Sequence, residues 1–345
     1  PGHLPVSARA TRPGRRAESI GVAVPGGGDA PVAPPFDPEL AGMLPLPSLA
    51  EVGLDEARSS ALLADDAALS QGGVFEVTHL VAPGPAGDPD LTMLVCQPSQ
   101  RSATSVVPAI YHIHGGGMVT GNRTSGIERA LGWAARFGMA VVSVEYRFAP
   151  ETPHPGPVED CYAGLEWTVR HAAGLGIDAE RIVVQGGSAG GGLAAGMLLL
   201  ARDRGGPKVA AQALLCPMLD DRNNTVSARQ LTGSVWDWRD NEIGWNALLG
   251  GQAGAGTVSP YAAPARATDL SGLPPAFIEV GSAETFRDEA VAYAGGIWRD
   301  GGSCELHVWP GGFHSFVGIV PGAALSQVAE AAAVAWLARV LGLRS

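Results

Sequence analysis

Apolar residues follow two rhythms along the chain. From residue 106 onward, the runs "VVPAIYHIH", "MAVVSVEYR", "RIVVQGG", "VAAQALLCP", "PPAFIEVG" and "CELHVWP" are short, and several are nearly continuous in apolar residues. A strand covered on both faces has this character, because neither side of its pleat meets water. Between most of them lie "GIERALGWAARFG", "VEDCYAGLEWTVRHAAGLG", "AGGGLAAGMLLLARDRG" and "DEAVAYAGGIWRDG", where apolar residues recur at helical spacing. Strand and helix in alternation predict a doubly wound, mostly parallel sheet with right-handed crossovers. Upstream, "VFEVTHLVAP" and "LTMLVCQP" alternate in polarity and are joined by a Gly/Pro/Asp turn, which predicts an antiparallel pair at a sheet edge. Earlier still, "FDPELAGML" and "LDEARSSALLADDAAL" read as two short helices separated by the breakers of "PLPSL".

Two stretches break the pattern. Residues 1–35 are rich in Pro, Gly and Arg without hydrophobic period and are expected to form a tail, with order beginning near Phe36. The connection from Asp220 to Pro274 carries Trp236, Trp238 and Trp245 and one helical segment around "NEIGWNALLG". A connection this long in a compact domain is usually functional. Together with the N-terminal helices it is expected to cap the carboxyl edge of the sheet, so that residues 36–345 form one domain whose cap comprises about 36–70 and 220–265.

At 345 residues, with 46% hydrophobic and 17% charged residues, the chain has ample material for one large core. Its formal net charge of −11 repels nucleic acid, and the cluster Arg9, Arg12, Arg15 and Arg16 lies in the tail, so no nucleic-acid partner is expected. The four cysteines, Cys96, Cys161, Cys216 and Cys304, are dispersed among apolar neighbours without metal-ligand spacing. They read as buried free thiols, with no metal and no cofactor implied. No apolar run reaches the length of a membrane span, and the expected location is the cytoplasm.

The chemistry concentrates at strand ends. "GGSAG", Gly186 to Gly190, is a G-x-S-x-G string directly after the strand "RIVVQ" and directly before a helix. That context puts Ser188 on a strained strand-to-helix turn with its hydroxyl projecting over the sheet, beside a helix N-terminus that favours developing negative charge. "HGGGM", His114 to Met118, follows another strand, and its glycines let backbone NH groups approach a substrate. The expected oxyanion donors are the NH groups of Gly116, Gly117 and Ala189, while His114 pins the loop. A serine hydroxyl needs a base. Of the eight histidines, His314 lies on a Gly-rich loop after the last strand, at the same sheet end as the serine. The orienting acid is expected after "PPAFIEVG": Glu284 is nearest the strand end, with Asp288 the alternative, and Asp288 and Glu289 otherwise suited to the first turn of the next helix.

The set "HGGGMVTG", "VSVEYRFAPETPHPGPVEDC", "GGSAGGGLAAG", "IEVGSAETFRDEAVAYA" and "GGFHSF" resembles the bacterial hormone-sensitive-lipase-like esterases of the α/β-hydrolase fold, from about Phe36 to the C-terminus. The resemblance implies an eight-stranded, mostly parallel sheet with helices on both faces and a helical cap. It also implies a Ser188, His314 and Glu284 triad, and structural roles for Tyr146, Arg147 and Glu151 near the active-site floor. Two residues depart from the pattern: Gly187 stands where the family usually has Asp, and Glu284 where it more often has Asp. The implied activity is hydrolysis of small or short-chain carboxylic esters through an acyl-enzyme. Transfer of the acyl group to another acceptor shares that intermediate, and a non-catalytic ligand receptor shares the fold. A homodimer is compatible with the family.

Overall fold

The computed structural model describes residues 31–102 and 105–343. Four short helices come first: α1 (Pro38–Ala41), α2 (Leu49–Val52), α3 (Leu54–Ser60) and α4 (Asp66–Leu69). The chain continues through β1 (Phe75–Ala82), β2 (Leu91–Pro98), β3 (Val107–Ile113), α5 (Glu128–Phe137), β4 (Ala140–Val144), α6 (Gly156–His171), β5 (Ile177–Gly187) and α7 (Ala189–Arg204). After β6 (Ala211–Leu215) come α8 (Val226–Gln230) and α9 (Trp238–Leu249), then β7 (Ala276–Gly281), α10 (Arg287–Arg299), β8 (Cys304–Trp309), α11 (Phe316–Ile319) and α12 (Ala324–Leu341). The strands form one eight-stranded sheet in the order β1-β2-β4-β3-β5-β6-β7-β8. β2 runs antiparallel to both β1 and β4, and all other pairs are parallel.

Alternate residues of the central strands feed two cores. Ile110, Val183, Ala213 and Phe277 pack beneath Trp133 of α5 and Trp336 and Leu337 of α12. Tyr111, Val184, Leu214 and Ile278 face the other way, against α6, α7 and α10. Each crossover therefore leaves its helix on one face or the other, and the carboxyl ends of β3, β5, β6, β7 and β8 open on the same edge. α12 is long and apolar enough to cross a membrane by length and composition. Here it lies on the sheet, with Ala333, Trp336, Leu337 and Leu341 buried in the core it shares with α5.

The N-terminal region forms more helices than its spacing predicts. Glu51 reaches back to accept the Ser48 backbone NH at 3.2 Å, so part of the "PLPSL" breaker becomes the entry to α2. α2 docks on α9 through a bond from the Ala50 NH to Asp240 Oδ1 at 2.7 Å. α3 is held by Arg58, whose guanidinium donates to the Val119 and Ala149 carbonyls and to both oxygens of Glu151. Within the segment expected as a tail, residues 1–30 lie outside the described residues, and the Val32 carbonyl accepts from Gln230 Nε2 at 2.7 Å. Two strand limits also differ from the pattern: β4 ends at Val144, past which the Glu145 NH keeps one bond to Thr92 on β2, and β5 starts at Ile177, upstream of "RIVVQ".

Candidate active site

β5 delivers the chain to Ser188, which adopts φ 56° and ψ −123° before α7 begins at Ala189. A non-glycine residue with this backbone is strained, and the surroundings hold it there. The Ser188 NH donates to the Leu215 carbonyl at 2.8 Å, while its carbonyl accepts from Met218 and Gly192. The turn closes only because its flanks lack side chains: a Cβ on Gly190 would stand 2.1 Å from the Ile113 carbonyl oxygen, and one on Gly186 2.2 Å from that of Gly190. Ser188 is 8% exposed and lines a cavity at the carboxyl edge of the sheet.

The structure brings His314 and Glu284 to it. His314 Nε2 lies 2.9 Å from Ser188 Oγ, and Nδ1 lies 3.1 Å from Glu284 Oε1. The other Glu284 oxygen accepts the Gly281 NH at 2.9 Å, fixing the carboxylate across the end of β7. The ring packs edge-on against Phe286 at 5.1 Å. Asp288 is placed elsewhere: its Oδ2 accepts the Ser227 NH at 2.8 Å and its Oδ1 accepts from Arg287. Glu289 also reaches away from its own helix, accepting the Leu219 NH at 2.6 Å and the Asp220 NH at 3.2 Å. Both acids thus tie the 219–227 segment to α10 as well as standing in its first turn.

Burial opposes protonation of His314, but the neighbouring Cys216 and the Glu284 carboxylate outweigh it and hold the imidazole above its ordinary range. Cys216, at positive φ just past β6, is a buried free thiol, as its apolar neighbours in the sequence predict. Its role beside His314 is tertiary: no local signal marks it. Cys216, Glu284 and His314 could also offer a metal three ligand atoms within 4.8 Å. Both imidazole nitrogens are engaged by Ser188 and Glu284, so ligation would break that array.

The glycine loop runs alongside. A Cβ on Gly115 would lie 3.4 Å from Ser188 Cβ, so the backbone of this loop passes close beside the serine. Among the described residues no acceptor takes the NH of Gly116 or Gly117, while the Gly116 carbonyl closes the turn by accepting from Val119 and Thr120. Ala189 opens α7, where NH groups have no intrahelical partner. His114 pins the loop by donating from Nδ1 to the Gly115 carbonyl at 2.7 Å, and it stacks on Tyr146 with ring centroids 4.2 Å apart. Burial pushes its imidazole down to about 3, so it is neutral. Tyr146 donates to the His114 carbonyl at 3.0 Å, and Arg147 forks onto buried Asp160 at 2.7 and 2.8 Å. Glu151, by contrast, is exposed, binds Arg58 at 2.7 Å and is not among the residues that line the cavity.

The cavity has a volume of about 490 Å³, within the range of small-molecule sites. Ala57, Ser60 and Ala61 of the N-terminal region border it with Trp236, whose ring would collide at 2.2 Å with a Cβ on Gly117. Of the three tryptophans in the long connection, Trp236 is the one that lines the cavity. Trp245 is fully buried, and Trp238 lies under Arg229. Deeper, the cavity reaches His112, Gln185, Glu279 and Arg129, polar residues at the ends of strands and on α5. Their convergence is not legible in the sequence.

The sequence profile of the α/β-hydrolase fold family matches residues 110–318. The chain is 32% identical to esterase LipI of Mycobacterium tuberculosis over 72% of its own length and 78% of that protein's. It is 36% identical to carboxylesterase NlhH of the same species, covering 63% and 70%. Among solved structures, a bacterial heroin esterase superposes with a TM-score of 0.79 at 40% identity, covering 90% of this chain and 98% of that one. Fold, site and similarity agree that this chain belongs to the α/β-hydrolase family, as one of its hormone-sensitive-lipase-like serine esterases.

Proposed function

We propose that the chain hydrolyses carboxylic esters with short acyl chains or compact aromatic alcohols, with Ser188 as nucleophile, His314 as base and Glu284 as orienting acid. The observation that carries the reading is the unbroken chain of hydrogen bonds from Ser188 Oγ through the imidazole to Glu284 and the Gly281 NH. Ser188 Oγ attacks the ester carbonyl carbon while its proton passes to His314 Nε2. The tetrahedral oxyanion is received by the NH groups of Gly116, Gly117 and Ala189, each donor worth about 3 kcal/mol of transition-state stabilisation. His314 then gives its proton to the leaving alkoxide, an acyl-enzyme remains, and water attacks it by the reverse relay. Glu284 keeps the Nδ1–H tautomer and offsets the imidazolium charge without taking the proton.

The regions 36–70 and 220–265 act as the cap over this site, supported by the α2–α9 bond and by Trp236 and Ala57 at the cavity wall. The wall formed by Trp236 favours a compact acyl group. Hydrolysis of p-nitrophenyl acetate tests the assignment. Ser188→Ala is expected to lower kcat to the background rate, and undiminished turnover in that variant would refute it.

A further inference from the structure

The cavity does not end at Ser188. It continues past Gly187 to the polar layer on the α5 and α12 face of the sheet, formed by His112 on β3, Gln185 on β5, Glu279 on β7 and Arg129 on α5. The proposed mechanism uses none of these side chains. His112 and Gln185 satisfy each other, and the second ring nitrogen of His112 meets the Ser125 carbonyl. Arg129 bridges Glu279 and Glu330. Two atoms remain over: Arg129 Nη2 and Glu279 Oε2 are buried and make no hydrogen bond. Buried polar atoms without partners are uncommon. Here a donor and an acceptor sit on two side chains that bond to each other and that both line the same cavity as the nucleophile.

Gly187 keeps the passage open. A Cβ at this position would meet nothing closer than the Leu215 carbonyl oxygen at 4.0 Å, so there is room for a side chain where the chain carries none. The charges narrow the occupant. Arg129 is balanced by two carboxylates, Glu279 and Glu330, and buried His112 is held towards its neutral form, so a carboxylate entering the arm would be repelled. An alkyl group would leave both orphaned atoms unpaired, and an ammonium could not accept from the guanidinium.

We propose that this arm is a recognition subsite for a hydroxyl group carried by the ester substrate, whose oxygen accepts from Arg129 Nη2 and whose hydrogen is donated to Glu279 Oε2. The inference rests on the ester-hydrolase reading of the Ser188 site and adds a substrate class to it: esters that bear an alcohol in the acyl or the alcohol portion.

Two isosteric pairs test it in the wild-type protein: p-nitrophenyl 6-hydroxyhexanoate against p-nitrophenyl heptanoate, and 4-hydroxybutyl acetate against pentyl acetate. Each pair exchanges a hydroxyl for a methyl at constant length. An apolar cavity favours the methyl, whereas a built hydroxyl site favours the alcohol, here by about tenfold or more in kcat/KM in at least one pair. Gly187→Asp, which puts a side chain into the room that Gly187 leaves beside the cavity, is expected to reduce that preference to about twofold or less. Normal hydrolysis of all four esters with no hydroxyl preference in either pair would overturn the inference and leave the esterase reading intact. A preference that survives Gly187→Asp would also overturn it, by placing recognition elsewhere. Failure to hydrolyse any of the four would instead overturn the proposed function.

Discussion

Replacing Glu284 by Gln probes the orienting acid at constant shape. The carboxylate is 1% exposed and spends one oxygen on the Gly281 NH at 2.9 Å and the other on His314 Nδ1 at 3.1 Å. An amide has one acceptor for these two demands. Turning its carbonyl to Gly281 leaves the NH₂ facing Nδ1, which selects the imidazole tautomer whose Nε2 carries hydrogen and cannot take the Ser188 proton. The opposite orientation keeps the working tautomer but sets two donors against each other, an unpaired buried NH costing about 1–3 kcal/mol, or ~5- to 150-fold in population. The lost charge opposite the imidazolium adds about 3 kcal/mol at an effective dielectric near 20. Together these predict kcat about 10³- to 10⁴-fold below wild type, similar to the tautomer defect known from a serine protease with its acid changed to amide. Steady-state hydrolysis of p-nitrophenyl acetate reads the loss, with circular dichroism to verify folding. Asp288→Asn, altering a side chain bound to Ser227 and Arg287, is expected to stay within about threefold of wild type. A folded Glu284→Gln protein within tenfold of wild type, or an equal loss in Asp288→Asn, would refute the reasoning.

Further consequences concern protons and stability. Because His314 is held above its ordinary range and must be neutral to act, activity is present above its pKa and lost as pH falls through it. The acid limb of kcat/KM should therefore lie above pH ~6.5 and move down in Cys216→Ala, which removes one of the neighbours that raise it; a limb at or below that pH would contradict this. Glu289 is pushed well above the usual carboxylate range by burial, with one oxygen unpartnered. Its raised value means the unfolded chain releases that proton at lower pH than the native one, so stability falls as pH rises above the unfolded carboxyl pKa. Glu289→Gln should remove that penalty and raise Tm at pH 7 by about 1–2 °C per kcal/mol recovered, with little change at pH 4; a lower Tm at pH 7 would show that the charge is needed.

All eight strands could be read from the sequence because each core strand is apolar on both faces and each is bounded by turn residues. Boundaries moved where tertiary contacts override the pattern. Tyr146 and Arg147 follow the apolar run directly, yet they lie beyond β4, where Tyr146 reaches the His114 carbonyl and Arg147 reaches Asp160. Extra helix appeared upstream, where the Glu51 side chain accepts the Ser48 NH across a segment rich in proline. At the site, Ser188, His314 and Glu284 were marked by glycine-rich turns and strand ends, which are local signals. Cys216, Arg129 and Glu279 carry no such signal. Their pairing depends on the order in which β3, β5, β6 and β7 lie in the sheet, and Arg129 meets Glu279 only after α5 packs across it.

The central claim is that Ser188, and no other residue, is the nucleophile activated by His314. A fluorophosphonate reacts with such a serine and leaves a phosphonyl adduct that intact-protein and peptide mass spectrometry can locate. One adduct per chain is predicted, on the peptide containing Ser188, formed much more slowly in a folded His314→Ala protein. Labelling elsewhere, or none at Ser188 in an active preparation, would contradict the account.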